Sequence, residues 1–269
     1  MAGCDAQIDS LFPAAILGDL AGKVKGKTVK EAGSIDGAAL SKMLIKAMGD
    51  ESADVRAGAV TVGEWADPGA MVPALHSYLE TDGNGETDEA KADRCAAAIA
   101  LTLGKIAGKS GDVEKATDTV NRLASLLACP TDAVQCAAAE GIASSVRVLP
   151  GDRGKEILSH YLADIGGASA RSAGYGLAGA VKGLRSKSLL AHGVMDKLAE
   201  ALGSKKDNAK RAGGCVAAEC LMRVLGNIFE PYAAKLMAAI IKTTGDKVPP
   251  RPYPTHHQDA SLAVPAPPA

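Results

Sequence analysis

The sequence predicts an all-α protein in which helix pairs stack into a right-handed solenoid. Apolar residues recur at helical spacing through most of the chain. Aromatic residues make up 3% of the sequence against 47% for all hydrophobic residues, so the core must consist of small side chains that suit close helix packing. A polar residue near the start of every second helix recurs in steps of 38, 41, 36 and 40 residues, at Arg56, Arg94, Gln135, Arg171 and Arg211. Steps of about 40 residues are typical of two-helix HEAT repeats and too long for tetratricopeptide repeats.

Residues 1–35 are predicted to form one helix and a connector. Phe12, Ile16 and Leu20 would lie on one face of that helix, and the lysines and glycines that follow indicate the connector. The regular repeat pattern begins at residue 36.

Five helix pairs are predicted within a single solenoid over residues 36–246. Each helix is indicated by apolar residues three and four positions apart, and a short polar or glycine-containing turn ends it. The successive helices are marked by Leu40–Met48, Ser52–Trp65, Val72 with Leu75 and Leu79, Cys95–Ile106, Val120–Leu127, Val134–Ile142, Ile157–Ile165, Ala173–Leu184, Leu189–Leu202 and Val216–Leu225.

An unpaired helix, Phe229–Thr244, is predicted to end the array. Pro231 lies in its first turn, where a missing N–H costs nothing. The dense prolines of residues 247–269 predict a disordered tail with polyproline segments. An array that ends in this way exposes an apolar face, so we expect a partner or further repeats to cover it.

Charge is distributed unevenly, although the net charge is only −1. Residues 50–93 hold eleven acidic and two basic residues, whereas residues 182–211 hold eight basic and three acidic ones. Equivalent turns of a solenoid line up along one edge, so two basic clusters are predicted to form one ridge that binds an anionic partner such as ribosomal RNA. Its residues are Lys182, Arg185, Lys187, Lys205, Lys206, Lys210 and Arg211. For either cluster alone, a solvated turn is the alternative interpretation.

No catalytic, cofactor-binding or metal-binding set is predicted. The glycines between Gly174 and Gly179 lie inside a helical pattern with no strand before it, unlike a phosphate-binding loop. The acidic loop at residues 82–89 departs from a calcium-binding loop at Thr87 and Asp93 and is interpreted as a solvated insertion. None of the five histidines and six cysteines has a partner at metal-ligand spacing. We therefore expect a non-enzymatic protein with no cofactor and no small-molecule substrate.

The sequence also predicts a soluble, cytoplasmic protein with no membrane partner. Its first ten residues contain two acids and no basic residue, unlike a secretory signal. The longest apolar run, Cys95–Leu103, is broken by Thr102 and is too short to cross a membrane. Small buried thiols are typical of a reducing compartment.

Three motifs, at their observed separations, carry a specific family resemblance. AGYGLAGAVKGL at 173–184, KKDNAKR at 205–211 and LGNIFEPY at 225–232 resemble the central HEAT region of the large ribosome-associated activator of the kinase for initiation factor 2 alpha, the general-control-nonderepressible scaffold. Weaker similarity extends the resemblance to about residues 54–246. In that family this region is similar to the HEAT segment of fungal elongation factor 3.

The resemblance implies a scaffold that works on ribosomes to promote kinase activation. It implies ribosome binding and an ABC-type ATPase partner. The family binds the RWD domain of the kinase through a segment farther toward its C-terminus. This sequence departs from the family after Asp246, so we expect that kinase-binding segment to be absent.

Two other functions fit a HEAT solenoid. The first is a generic HEAT or armadillo adaptor of the phosphatase-scaffold, transport or tubulin-binding type, which partner identity would distinguish. The second is a bilin-lyase-like HEAT protein, which would bind tetrapyrroles.

Overall fold

The computed structural model describes residues 37–81, 86–167 and 169–243. The chain divides into two compact units, with the boundary between Ile106 and Ala107. The described residues form twelve α-helices and one 3-10 turn, and no strand occurs among them. The predicted all-α solenoid class is therefore confirmed. The predictions for residues 1–35 and 247–269 lie outside the described residues, and the single solenoid over 36–246 stays a prediction.

The first unit contains α1, α2, α3 and most of α4, and the second unit contains the remaining helices. In chain order the helices are α1 Gly37–Met48, α2 Ala53–Gly63, α3 Pro68–Glu80, α4 Glu89–Ser110, α5 Val113–Leu126, α6 Asp132–Val146, α7 Gly151–Ala163, α8 Ala170–Leu184, α9 Ser188–Ala191, α10 Val194–Leu202, α11 Asn208–Leu225 and α12 Glu230–Thr243, with the 3-10 turn Gly226–Ile228 before α12.

Local sequence signals set several of the helix ends. Asp112 begins α5, because its side chain accepts hydrogen bonds from the backbone N–H groups of Glu114 and Lys115. Asp207 begins α11 in the same way by accepting from the Lys210 N–H at 2.9 Å. Gly226 ends α11 with a φ of 57°, a conformation that favours glycine.

The buried face of α3 differs from the predicted one by a small rotation. The sequence pattern predicted a face of Val72, Leu75 and Leu79, whereas Met71, Leu75 and Tyr78 are buried. The rotation places the largest apolar side chains of the helix in the core, where burial stabilises them most.

The predicted helix from Leu189 to Leu202 is interrupted. Gly193 adopts a left-handed conformation with a φ of 66°, so the segment divides into the single turn α9 and the longer α10. A glycine near the start of an apolar pattern adopts this conformation at little cost.

Helix α8 is the centre of the second unit. It packs against α6, α7 and α11, and most of its side chains are buried. Its glycines permit this, because a Cβ at Gly179 would lie 2.5 Å from the carbonyl oxygen of Ala139 on α6, and one at Gly174 would lie 3.0 Å from Cys220 Sγ on α11. The absence of side chains at these two positions therefore lets α6 and α11 lie close to α8.

The hydroxyl of Tyr161 on α7 is fully buried and has no hydrogen-bond partner among the described residues. Burial raises the pKa of this phenol. An unpaired buried hydroxyl is destabilising, so we expect Tyr161→Phe to raise the free energy of unfolding by about 1 kcal/mol. Urea denaturation measures this change.

Tyr175→Phe is the matched control for that substitution. The hydroxyl of Tyr175 lies 3.5 Å from Asp132 Oδ1, so its removal is expected to be neutral or slightly destabilising. A loss of stability in Tyr161→Phe equal to that in Tyr175→Phe would contradict the prediction.

Candidate functional site

Three helices of the second unit, α6, α8 and α11, run in the same direction. Near the starts of α6 and α8, Arg171 Nη1 donates to Asp132 Oδ1 at 2.8 Å. The start of α11 lies beside the turn before α8, because a Cβ at Gly213 would meet the backbone of Ile165. Near their ends, Lys182 Nζ pairs with a carboxylate of α6 and donates to the carbonyl of Val224 on α11 at 2.9 Å. These three helices are the second members of successive pairs.

This parallel arrangement separates the two predicted basic clusters. Arg185 and Lys187 follow the end of α8, whereas Lys205 and Lys206 precede the start of α11. The two turns are therefore at opposite edges of the α8–α11 layer. The turn after α8 connects one pair to the next, whereas the turn before α11 lies within a pair, and these two kinds of turn alternate between edges. The structure thus does not bring the seven residues together into one ridge.

Three of the seven predicted residues make contacts within the fold. Lys182 is half-buried and pairs with Glu140 between α6 and α8. Lys210 Nζ lies 2.7 Å from Glu200 Oε1. Arg211 donates to the carbonyl of Ser204 and to Asn208 Oδ1, which closes the turn between α10 and α11.

The other four, Arg185, Lys187, Lys205 and Lys206, are exposed. None of them forms an ion pair with another residue in the described ranges. Arg185 has a φ of 73°, an uncommon conformation for a residue with a side chain. Among the seven predicted residues, these four are available to an anionic partner.

The turn of Lys205 and Lys206, which we name the lysine turn, presents two adjacent exposed cations. It precedes the N-terminus of α11, where the helix dipole adds partial positive charge. The nearby Glu200 is engaged elsewhere, since hydrogen bonds from Lys210 and Lys197 lower its pKa. The lysine turn therefore presents two cations that Glu200 does not neutralise.

The repeated polar position that marks the period has a structural role. Arg56 Nη1 donates to the carbonyls of Asp50 and Glu51 at 2.7 and 2.8 Å, and Gln135 Nε2 donates to the carbonyl of Leu127 at 2.8 Å. Both close the turn of their own pair.

Two members of the series instead reach a neighbouring pair. Arg94 Nε donates to the carbonyl of Gly49 at 3.3 Å. Arg171 connects carboxylates on both sides, with Nη1 on Asp132 and Nη2 3.3 Å from Glu219 Oε2 on α11. These two side chains therefore connect adjacent pairs.

Two buried cysteines, Cys95 and Cys220, and the half-buried Cys136 have raised thiol pKa values. Burial raises the pKa of the Cys220 thiol to about 12 and also raises the pKa values of Cys95 and Cys136. A protonated thiol is a poor nucleophile. Within the described ranges, no cluster of three or more His, Cys, Asp or Glu residues could hold a metal ion.

One feature was missed at the sequence level, namely a groove in the first unit between α2 and α4. Arg56, Arg94 and Lys105 border it. These cations lie on the second helices of the first two pairs, so comparison of second-helix faces would have found them.

No helix in the described part of the chain is both long and apolar enough to span a membrane.

Comparison with known proteins agrees with this architecture. The model of the EF3 N-terminal HEAT repeat family matches residues 170–258, which include α8 and α11. The eIF-2-alpha kinase activator GCN1 of Dictyostelium discoideum is 30% identical over 186 residues, and the human stalled ribosome sensor GCN1 is 28% identical over 181 residues.

The chain is related to the HEAT-repeat region of GCN1. These two matches cover 67% and 66% of this chain, and each covers 7% of the relative. Protein ILITYHIA of Arabidopsis thaliana is 25% identical over 222 residues, which are 78% of this chain and 8% of that relative. The chain thus spans less than a tenth of the length of each of these three relatives. No solved structure matches it significantly.

Proposed function

We propose that this chain is a non-enzymatic HEAT scaffold that binds ribosomes in the cytoplasm through the lysine turn. Relatives whose names describe a stalled ribosome sensor and an eIF-2-alpha kinase activator support the proposal. The observation that carries it is the lysine turn, where exposed Lys205 and Lys206 lie beside the N-terminus of α11 without an ion pair among the described residues.

Ribosomal RNA phosphates are the anions that the lysine turn would contact. Lysines that neutralise phosphates release bound counterions, so the affinity depends strongly on salt. The layer of α6, α8 and α11 would hold the two lysines in place, because ion pairs such as Arg171–Asp132 join the second helices of successive pairs.

Kinase activation would then follow from scaffolding rather than from chemistry on this chain. In this proposal the ribosome-bound chain helps to bring an ABC-type ATPase to the ribosome, whereas contact with the kinase requires the segment that we expect this sequence to lack. The chain itself supplies the rigid helix layer and the cationic turn.

Charge reversal tests the lysine turn. We expect the double substitution Lys205→Glu and Lys206→Glu to weaken binding to purified ribosomes by about ten-fold or more at low salt. Both side chains are exposed, so the fold should be preserved. Co-sedimentation with a titration of ribosomes measures the affinity.

The matched control is Arg185→Glu with Lys187→Glu, which makes the same charge change at the opposite edge. Its affinity is expected to stay within about two-fold of the unaltered chain. Equal losses in the two double variants would indicate a general charge effect, and no loss in either would refute ribosome binding through the lysine turn.

A further inference from the structure

The groove between α2 and α4 combines an apolar floor with a cationic border. Its volume is about 350 Å³, and Ala57, Val60 and Leu101 contribute to the floor. Arg56, Arg94 and Lys105 line its border, and no acidic or aromatic side chain is among its lining residues.

The cationic border keeps a positive balance. Arg56 is held by backbone carbonyls and pairs with no carboxylate within the described part of the chain. Arg94 lies 3.9 Å from Asp88, near the limit for an ion pair, and Lys105 pairs with Glu64 at 3.1 Å while its side chain stays 41% exposed. Three cations thus face two carboxylates, and carbonyls orient the charge of Arg56 without cancelling it.

We propose that this groove binds an acidic amphipathic helix of a protein partner. Its apolar floor suits apolar side chains at helical spacing, and its border suits carboxylates on the flanks of the same helix. From Ala53 to Thr61 the lining follows α2 for about 12 Å, since an α-helix rises about 1.5 Å per residue. A partner helix of two to three turns matches this length.

A nucleic acid fits the groove less well than a peptide. Single-stranded RNA is bound by stacking its bases on aromatic side chains, and the groove has none. The apolar floor suits the apolar side chains of a peptide helix instead.

Fluorescence anisotropy with a defined probe tests the proposal. The probe is a labelled helical peptide of about three turns, with leucines at i, i+3, i+4 and i+7 and glutamates elsewhere. We expect the full chain to bind it, and to bind the lysine counterpart of the peptide at least about ten-fold more weakly. A single-stranded RNA of equal length should not displace it.

Substitutions in the groove locate the binding. Ala57→Glu places a carboxylate on the exposed floor and is expected to weaken binding of the acidic peptide by about ten-fold or more. Thr61→Glu, one helical turn later, is expected to have the same effect. Ala39→Glu makes the same change at an exposed position of α1, outside the groove lining, and should leave the affinity unchanged. Circular dichroism verifies that each variant is folded.

Three results would overturn the proposal. The first is that the acidic peptide does not bind at about 1 mM. The second is that the chain binds the acidic and lysine peptides with equal affinity. The third is that both groove variants bind the acidic peptide as tightly as the unaltered chain. Displacement by RNA would assign the groove to nucleic acid instead. None of these results depends on the lysine turn, which lies in the other unit, so the two proposals fail independently.

Discussion

The substitution Gly179→Ala should lower the free energy of unfolding by about 2–3 kcal/mol, although alanine is the better helix former by about 1 kcal/mol. The added Cβ would lie 2.5 Å from the carbonyl oxygen of Ala139, which is closer than van der Waals contact permits. The obstacle is backbone, so α6 and α8 must move apart as rigid helices. Chemical denaturation of the purified chain measures the loss.

Gly151→Ala is the control for this prediction. Gly151 is the first residue of α7, and a Cβ there meets nothing within 4 Å. We expect its free energy of unfolding to change by less than about 0.5 kcal/mol. If Gly179→Ala were as well tolerated as Gly151→Ala, the close approach of α6 and α8 would be wrong.

The substitution Phe229→Ala should have the largest effect, about 3–5 kcal/mol. Phe229 is fully buried, its ring stacks on Tyr232 with centroids 6.4 Å apart, and its carbonyl accepts the first backbone hydrogen bonds of α12. Within α12 itself, only Leu236 is fully in the core. Loss of the phenyl ring therefore removes the main attachment of α12.

The loss should be local, because each repeat of a solenoid contacts only its neighbours. Hydrogen exchange is expected to speed up throughout α12 while α6 and α8 keep their protection. Ile228→Ala is the control, since Ile228 is 55% exposed and adjacent in sequence. Uniform loss of protection across the second unit in Phe229→Ala would contradict repeat-by-repeat stability.

The helices of the described residues could largely be predicted from the sequence, because apolar spacing determines which side of each helix is buried. Leu123 and Leu127 of the α5 segment and Val134 and Ile142 of α6 are all fully buried, as the pattern predicted. The prediction was less accurate where two apolar faces compete, as in α3, where Tyr78 is buried in place of Leu79. Spacing alone does not weigh side-chain size.

The candidate site was predicted less well than the fold. The basic residues were found by their clustering, but their positions relative to one another depend on which turns share an edge. Lys187 and Lys205 are 18 residues apart, about half of the repeat of about 40 residues, so their spacing already indicates alternating turns at opposite edges. The prediction of one ridge did not take this half-repeat offset into account. The role of Lys182 also depends on a partner distant in sequence, Glu140.

Sedimentation of the unaltered chain with purified ribosomes over a range of salt concentrations tests the central claim most directly. We predict that the chain co-sediments with ribosomes at about 50 mM salt and that the bound fraction falls steeply by about 200 mM, because lysines that neutralise phosphates bind more weakly as salt rises. A chain that stays at the top of the gradient at both salt concentrations, or co-sediments equally at both, would contradict binding to ribosomal RNA through the lysine turn.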